Sequence, residues 1–148
     1  MPTDRYSLGA TLQATQGGYF GDMATWADVA RVVAELPETA EPTPHNWRVR
    51  KKLMVWERPL RKADLAALGD AAPDGDVLGA RVADEGVKHA LIADEPDVYF
   101  TTPHFDGYPM VLVRLDAITV ADLRELVTEA WLAQAPAKLV KDFLGDSS

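Results

Sequence analysis

Hydrophobic positions along the chain change their period several times, and each change marks an element. Trp26, Val29, Ala30 and Val33 recur at i, i+3, i+4 and i+7, the spacing of one helix face. Thr25 and Asp28 open this run as a T-x-x-D capping box, and Pro37 ends it. The link E-T-A-E-P-T-P that follows cannot be helix or a central strand, because its prolines lack an amide and restrict the residues before them. From Asn46 the period falls to two. Trp47 and Val49 alternate with Arg48 and Arg50, then Leu53 and Val55 with Met54 and Trp56, which predicts two strands paired through a tight connection near Arg50 and Lys51.

Residues 59–76 read as an insertion, with a short helical turn from Ala63 to Leu68 and the turn chemistry of D-A-A-P-D-G-D. Its acids Asp64, Asp70, Asp74 and Asp76 lack the order of a calcium loop and read as a solvated acidic stretch. A third strand spans 77–82. Asp84 caps a short helix through Ala93, and Pro96 separates it from a strand at 98–101. A loop with Pro103, Pro109 and the turn-forming pair Asp106-Gly107 leads into a strand at 110–115, apolar on both faces except at Arg114 and therefore expected to be central and covered on both sides. Thr119 and Asp122 form a second capping box, with Ile118 stapled to Leu123. Leu123, Leu126, Val127, Ala130 and Trp131 mark the helix it opens, which ends near Pro136, and Leu139, Val140 and Phe143 predict one more helical segment. The order α-β-β-β-α-β-β-α predicts an α+β, two-layer fold, an antiparallel sheet of about five strands packed against helices. Residues 1–22, rich in glycine and without a period, are expected to form a tail that is flexible or docked through Tyr6, Leu8, Leu12, Tyr19 and Phe20. The folded domain is expected at 23–144, with a polar tail at 145–148.

Composition narrows the function classes. At 148 residues the chain fits one domain with a real core. No apolar run approaches the roughly 18 residues of a membrane span. The absence of cysteine removes disulfides and thiolate metal sites, and the first twenty residues carry no signal-peptide pattern, so the expected address is the cytoplasm, with no membrane partner.

The net charge of -8 argues against a polyanion being held by the protein as a whole. Seven of the fifteen basic residues nevertheless lie between Arg48 and Lys62 against the single acid Glu57, so this segment is +6 and the remainder -14. Two readings follow: a local meeting point for an anionic partner, or basic residues that discourage edge-to-edge strand pairing.

The residues are compatible with three function classes. In a nucleic-acid-binding module, Arg48, Arg50, Lys51 and Lys52 contact phosphates while Trp47 or Trp56 stacks on a base, with Arg58 beside Trp56. In a module for a small anionic ligand or a protein partner, a groove joins the basic hairpin to the loop: Arg48 and Arg114 hold a carboxylate or phosphate, and His104 and Tyr108 supply directional hydrogen bonds. Arg114, a cation in an apolar strand, needs a partner such as the carboxylate of Asp106 or an open site. In an enzyme, His104 and Asp106 are the base and carboxylate, but residues two apart on an extended segment are not placed as base and orienter, and no catalytic or dinucleotide fingerprint occurs. No catalytic residue, cofactor or metal is therefore assigned, since His45, His89 and His104 lack ligand spacing.

The segments M-A-T-W-A-D-V at 23–29, W-R-V-R-K-K-L at 47–53, D-E-P-D-V-Y-F-T-T-P-H-F-D-G-Y-P-M-V-L-V-R-L at 94–115 and the closing helix with Trp131 together resemble the MmcQ/YjbR-like family over about residues 23–144. The resemblance implies a compact α+β fold similar to secretion chaperones and frataxin. Members are commonly labelled DNA-binding, with strand-borne loops as paired wings, which would make the Arg48 to Lys62 hairpin the wing of this chain.

Overall fold

A computed structural model describes residues 23–145 of the chain. The expectations for residues 1–22 lie outside the described residues. Five helices and six strands alternate as α1 (Trp26–Ala34), β1 (Thr39–Thr43), β2 (Asn46–Val49), β3 (Lys52–Glu57), α2 (Lys62–Leu68), β4 (Val77–Arg81), α3 (Glu85–Asp94), β5 (Tyr99–Phe100), β6 (Met110–Arg114), α4 (Val120–Gln134) and α5 (Ala137–Gly145). The strands form one antiparallel sheet in the order β1-β2-β3-β4-β6-β5. This is the α+β architecture that the hydrophobic pattern predicts, with one strand more.

The additional strand is the proline-rich link. Pro42 lies within β1 and Pro44 follows it, and β1 is an edge strand, where a missing amide on the outer side breaks no ladder bond. Two-residue turns, Pro44-His45 and Arg50-Lys51, join β1 to β2 and β2 to β3. His45 and Arg50 take φ of 56° and 54°, a region that costs a side-chain-bearing residue roughly 1–2 kcal/mol.

The strict alternation expected in β3 fails at one point. Trp47 pairs with Val55, yet Arg48 pairs with Leu53, so Met54 is an extra residue in the ladder. Met54 and Val55 are consequently both buried in the main core, whereas a regular strand would have turned one of them away.

The main core fills one face of the sheet. The Thr25 cap forms as a reciprocal box, with Asp28 N donating to Thr25 Oγ1 at 3.3 Å and Thr25 N donating to Asp28 Oδ2 at 2.9 Å. Behind it, α1 buries Val29, Val32 and Val33, and α4 buries Leu123, Leu126, Val127, Ala130 and Trp131 against Trp47, Val49, Leu78, Val111 and Val113. At the second cap, Thr119 Oγ1 accepts from Asp122 N at 3.1 Å. Trp131 Nε1 donates to Pro37 O at 2.9 Å, which satisfies the one polar atom of a fully buried ring, and α5 packs Phe143 on that ring at 4.8 Å.

The opposite face carries a smaller cluster of Val77, Phe100, Phe105, Met110 and Leu112, with Trp56, Leu60 and Leu68 against it. Leu60 and Leu68 belong to the 59–76 insertion, so this segment covers the second face at β6 and at the Val77 end of β4. That is why β6 is buried on both sides.

Candidate functional site

The seven basic residues between Arg48 and Lys62 do not form one patch. Arg50, Lys51 and Lys52 sit at the β2–β3 turn, while Arg58, Arg61 and Lys62 follow the far end of β3, about 17 Å away at the rise of a strand. At the turn, Arg48 braces the hairpin from within: Nε donates to Asn46 Oδ1 at 3.0 Å and a terminal nitrogen to Lys51 O at 2.8 Å. Arg50 pairs with Glu38 through two bonds of 2.7 and 3.3 Å. These hydrogen bonds hold the Glu38 carboxyl below its usual range and raise Arg50, so each charge largely cancels the other. Lys51 and Lys52 are exposed and have no ion pair among the described residues.

Two expected contact residues are structural instead. Trp47 is 2% exposed and packs in the main core, stacked with His45 at 5.6 Å and Trp26 at 6.1 Å, so it offers no face to a base. Arg58 is also buried. Its guanidinium bonds Asp64 Oδ2 at 3.1 Å and the Pro59 carbonyl, and lies 5.0 Å from the centre of the Phe105 ring. Asp64 is thereby a buried anchor rather than a solvated acid. The backbone amide of Arg61 lowers its pKa, burial opposes that, and Arg58 adds to the lowering. This ion pair pins α2 to the turn at Phe105.

The loop between β5 and β6 is shaped from beneath. Lys88 on α3, 1% exposed, donates from Nζ to Phe105 O at 2.8 Å and to Tyr108 O at 3.1 Å. Sequence reasoning missed it, because a lysine in an amphipathic helix carries no mark of burial. Gly107 has φ of 84°, as the Asp106-Gly107 turn predicts. His104 and Tyr108 project outward, with His104 edge-on to Phe105 at 4.7 Å and Tyr108 55% exposed.

Arg114 is not part of that loop. It lies at the opposite end of β6, about 13 Å from Met110, and donates to Ala71 O at 2.8 Å and Pro96 O at 3.2 Å, with its guanidinium 4.5 Å from the Phe100 ring centre. Its partners are carbonyls and a ring rather than Asp106. Arg48 stands three strands away. The expected groove shared by His104, Arg48 and Arg114 is therefore not assembled.

A different set does share one face. Asn46 and Trp56 are cross-strand partners, as are Arg48 and Leu53, and the Arg48 to Asn46 bond keeps both pairs on the face opposite the main core. Trp56 lies over Gly79, where an added Cβ would come within 2.6 Å of the ring. Arg81, two residues beyond Gly79 and paired with Met110 of the smaller cluster, faces the same way. Its Nε is buried without a hydrogen-bond partner. The same argument from a lone cation in an apolar strand that singled out Arg114 would have found Arg81. At the opposite end of the sheet, a shallow cleft of about 290 Å³ is lined by Trp26, Gly75, Asp76, Leu115 and Asp116, with Trp26 Nε1 donating to Asp76 Oδ2 at 2.9 Å. No group of metal-ligating side chains occurs among the described residues, and no helix among them is long and apolar enough to cross a membrane.

A family model described as YjbR matches residues 34–133. The uncharacterized proteins Mb2600 of Mycobacterium bovis and Rv2570 of Mycobacterium tuberculosis are each 67% identical over 128 residues, covering 84% of this chain and 99% of the relative. In three dimensions the chain is similar to the crystal structure of Deinococcus radiodurans protein DR2400, family-model domain DUF419, with a TM-score of 0.58 and 20% identity over 84% of this chain and 90% of that one. At that identity the likeness concerns the fold.

Proposed function

Because the chain belongs to the YjbR family and its β2–β3 hairpin ends in two lysines without an ion pair among the described residues, we propose that it is a non-enzymatic binding protein that holds DNA through that hairpin. The observation that carries this reading is the charge left over at the tip. Glu38 cancels Arg50, and Arg48 is turned inward, so Lys51 and Lys52 are the charges available to phosphates there.

The overall charge of -8 weakens such binding without abolishing it. At about 0.1 M salt, charges more than about 10 Å from the tip are largely screened, so the local pair outweighs the distant acids. Two phosphate contacts contribute a slope of about -1.8 to the dependence of log K on log salt, and affinity belongs in the non-specific range, with Kd of about 10⁻⁴ to 10⁻⁶ M.

The test is fluorescence anisotropy with labelled DNA across a salt series. Binding that weakens with salt and is lost in the Lys51→Glu/Lys52→Glu double variant supports the reading. Binding indifferent to salt, or none at low salt, overturns it.

A further inference from the structure

We propose that the sheet face beside the hairpin is a stacking surface for single-stranded DNA, with Trp56 beneath a base and Arg81 on a neighbouring phosphate. This rests on the reading of the hairpin as a DNA contact and adds to it the strand state of the DNA and two residues outside the hairpin tip.

Three observations carry it. The first is the ring. Trp56 is half-buried, with one side of its indole laid on the backbone of Gly79 and its N–H without an acceptor among the described residues. A large ring held flat on a strand by a glycine is pre-ordered for stacking, and stacking accepts any base.

The second is Arg81. The other half-buried and buried arginines are satisfied: Arg48 by Asn46 and Lys51, Arg58 by Asp64 and Pro59, Arg114 by Ala71 and Pro96. Arg81 has neither an ion pair nor a hydrogen bond among the described residues, and its Nε is shut off from water. Of its donors only the Nε–H is both buried and unmet, which is unfavourable, while the terminal nitrogens stay open to an acceptor from outside.

The third is charge and register. Asn46, Arg48, Leu53, Trp56 and Arg81 share this face and include two cations and no carboxylate. Val55 pairs with Ala80, so Arg81 lies one step toward the hairpin tip from that pair. It is about 7 Å from Gly79 along the strand, and hence one base-to-phosphate step from the ring. A strand leaving Lys51 and Lys52 can thus cross Arg48 and Trp56 to reach Arg81. A duplex cannot use this face, because its bases are stacked on one another and expose no ring to Trp56.

The experiment compares the full chain and its variants by anisotropy on a labelled oligothymidylate of about twelve nucleotides, within the site size of such surfaces, and on a duplex of equal length. The expected result is a preference of the wild type for the single strand by about tenfold or more, and a loss of about tenfold in single-strand affinity in Arg81→Met with duplex binding unchanged. Trp56→Leu is expected to behave alike. Should that variant fail to fold, Trp56→Phe, which keeps an aromatic ring, is expected to lose affinity by a smaller factor. Equal binding of both forms, with Arg81→Met and Trp56→Phe at wild-type affinity while Lys51→Glu/Lys52→Glu binds neither, overturns the stacking surface and leaves the hairpin reading standing. No binding of either form by the wild type overturns both.

Discussion

Lys88 Nζ donates to the carbonyl of Phe105 at 2.8 Å from a position with 1% exposure, so a helix that follows β4 holds the loop that precedes β6. The same ammonium reaches Tyr108 O, and Glu85 stands 3.6 Å from it. The charge is kept inside because two carbonyls and one carboxylate surround it.

Lys88→Met keeps the length of the side chain and removes the donors. Phe105 O and Tyr108 O then lose a charged donor and keep only the backbone amides of Tyr108 and Met110, a loss of about 1–2 kcal/mol for each charge-assisted bond. Urea unfolding is expected to show a loss of about 2–4 kcal/mol, and amide exchange at Phe105 and Tyr108, whose amides bond within the loop, is expected to accelerate more than exchange in β4. Uniform acceleration across the sheet would instead mean that Lys88 supports the fold globally.

Asp64 sets an acid limit. Its folded carboxyl titrates below the ordinary 3.8, chiefly because the Arg61 amide donates to it and further because Arg58 is beside it. A depressed carboxyl contributes stability that is complete above its unfolded pKa and fades as pH falls through the lower, folded one. Asp64→Asn is expected to cost about 3 kcal/mol at pH 7, since it leaves Arg58 buried without its counter-charge. The difference from wild type should shrink as pH falls below about 4, where the unfolded carboxyl takes up its proton, and close only below the lower pKa of the native carboxyl. Thermal melts at pH 7 and pH 3 measure both.

Gly79→Ala places a methyl group where the Trp56 ring lies, at 2.6 Å from its nearest atom. The ring has to lift from the strand, with a loss of about 1–3 kcal/mol as in other overpacked sites. Tryptophan emission should shift to the red as Trp56 gains water, and a variant with native stability and unshifted emission would contradict the close packing described above.

Arg114→Met releases the clamp on Ala71 and Pro96. Because Ala71 belongs to the insertion and Pro96 to the turn before β5, the expected effect is local. Limited proteolysis should cut within residues 59–76 faster, while global stability falls by only about 1–2 kcal/mol, the scale of two charge-assisted bonds to partly exposed carbonyls.

Most of the fold was legible from local rules. The Thr25 box and the 3.6-residue period fix α1, and the two prolines confine residues 39–43 to an edge even though they do not announce a strand. The bulge at Met54 was not legible, because it depends on how β2 and β3 twist against each other rather than on either strand's own pattern. At the candidate site, the exposed lysines of the tip stood out as a charge cluster in an acidic chain. Trp47 and Arg58 were misassigned for one reason: a strand residue reveals its alternation but not what covers its face. His45 and Trp26 stack on Trp47, and the insertion brings Asp64 to Arg58. Lys88 and Arg81 needed the same missing knowledge, which elements from distant parts of the chain meet them.

The two margins of the sheet limit how partners can approach. One is β1, with Pro42 inside it and Pro44 after it; the other is β5, two residues long. Neither offers a run of free amides and carbonyls for a foreign strand to continue, so the protein resists lengthening of its sheet by a neighbour, including a second copy of itself. On the proposed reading, DNA contacts are thereby directed to the hairpin turn and to the face that bears Trp56, where side chains rather than main chain decide what binds.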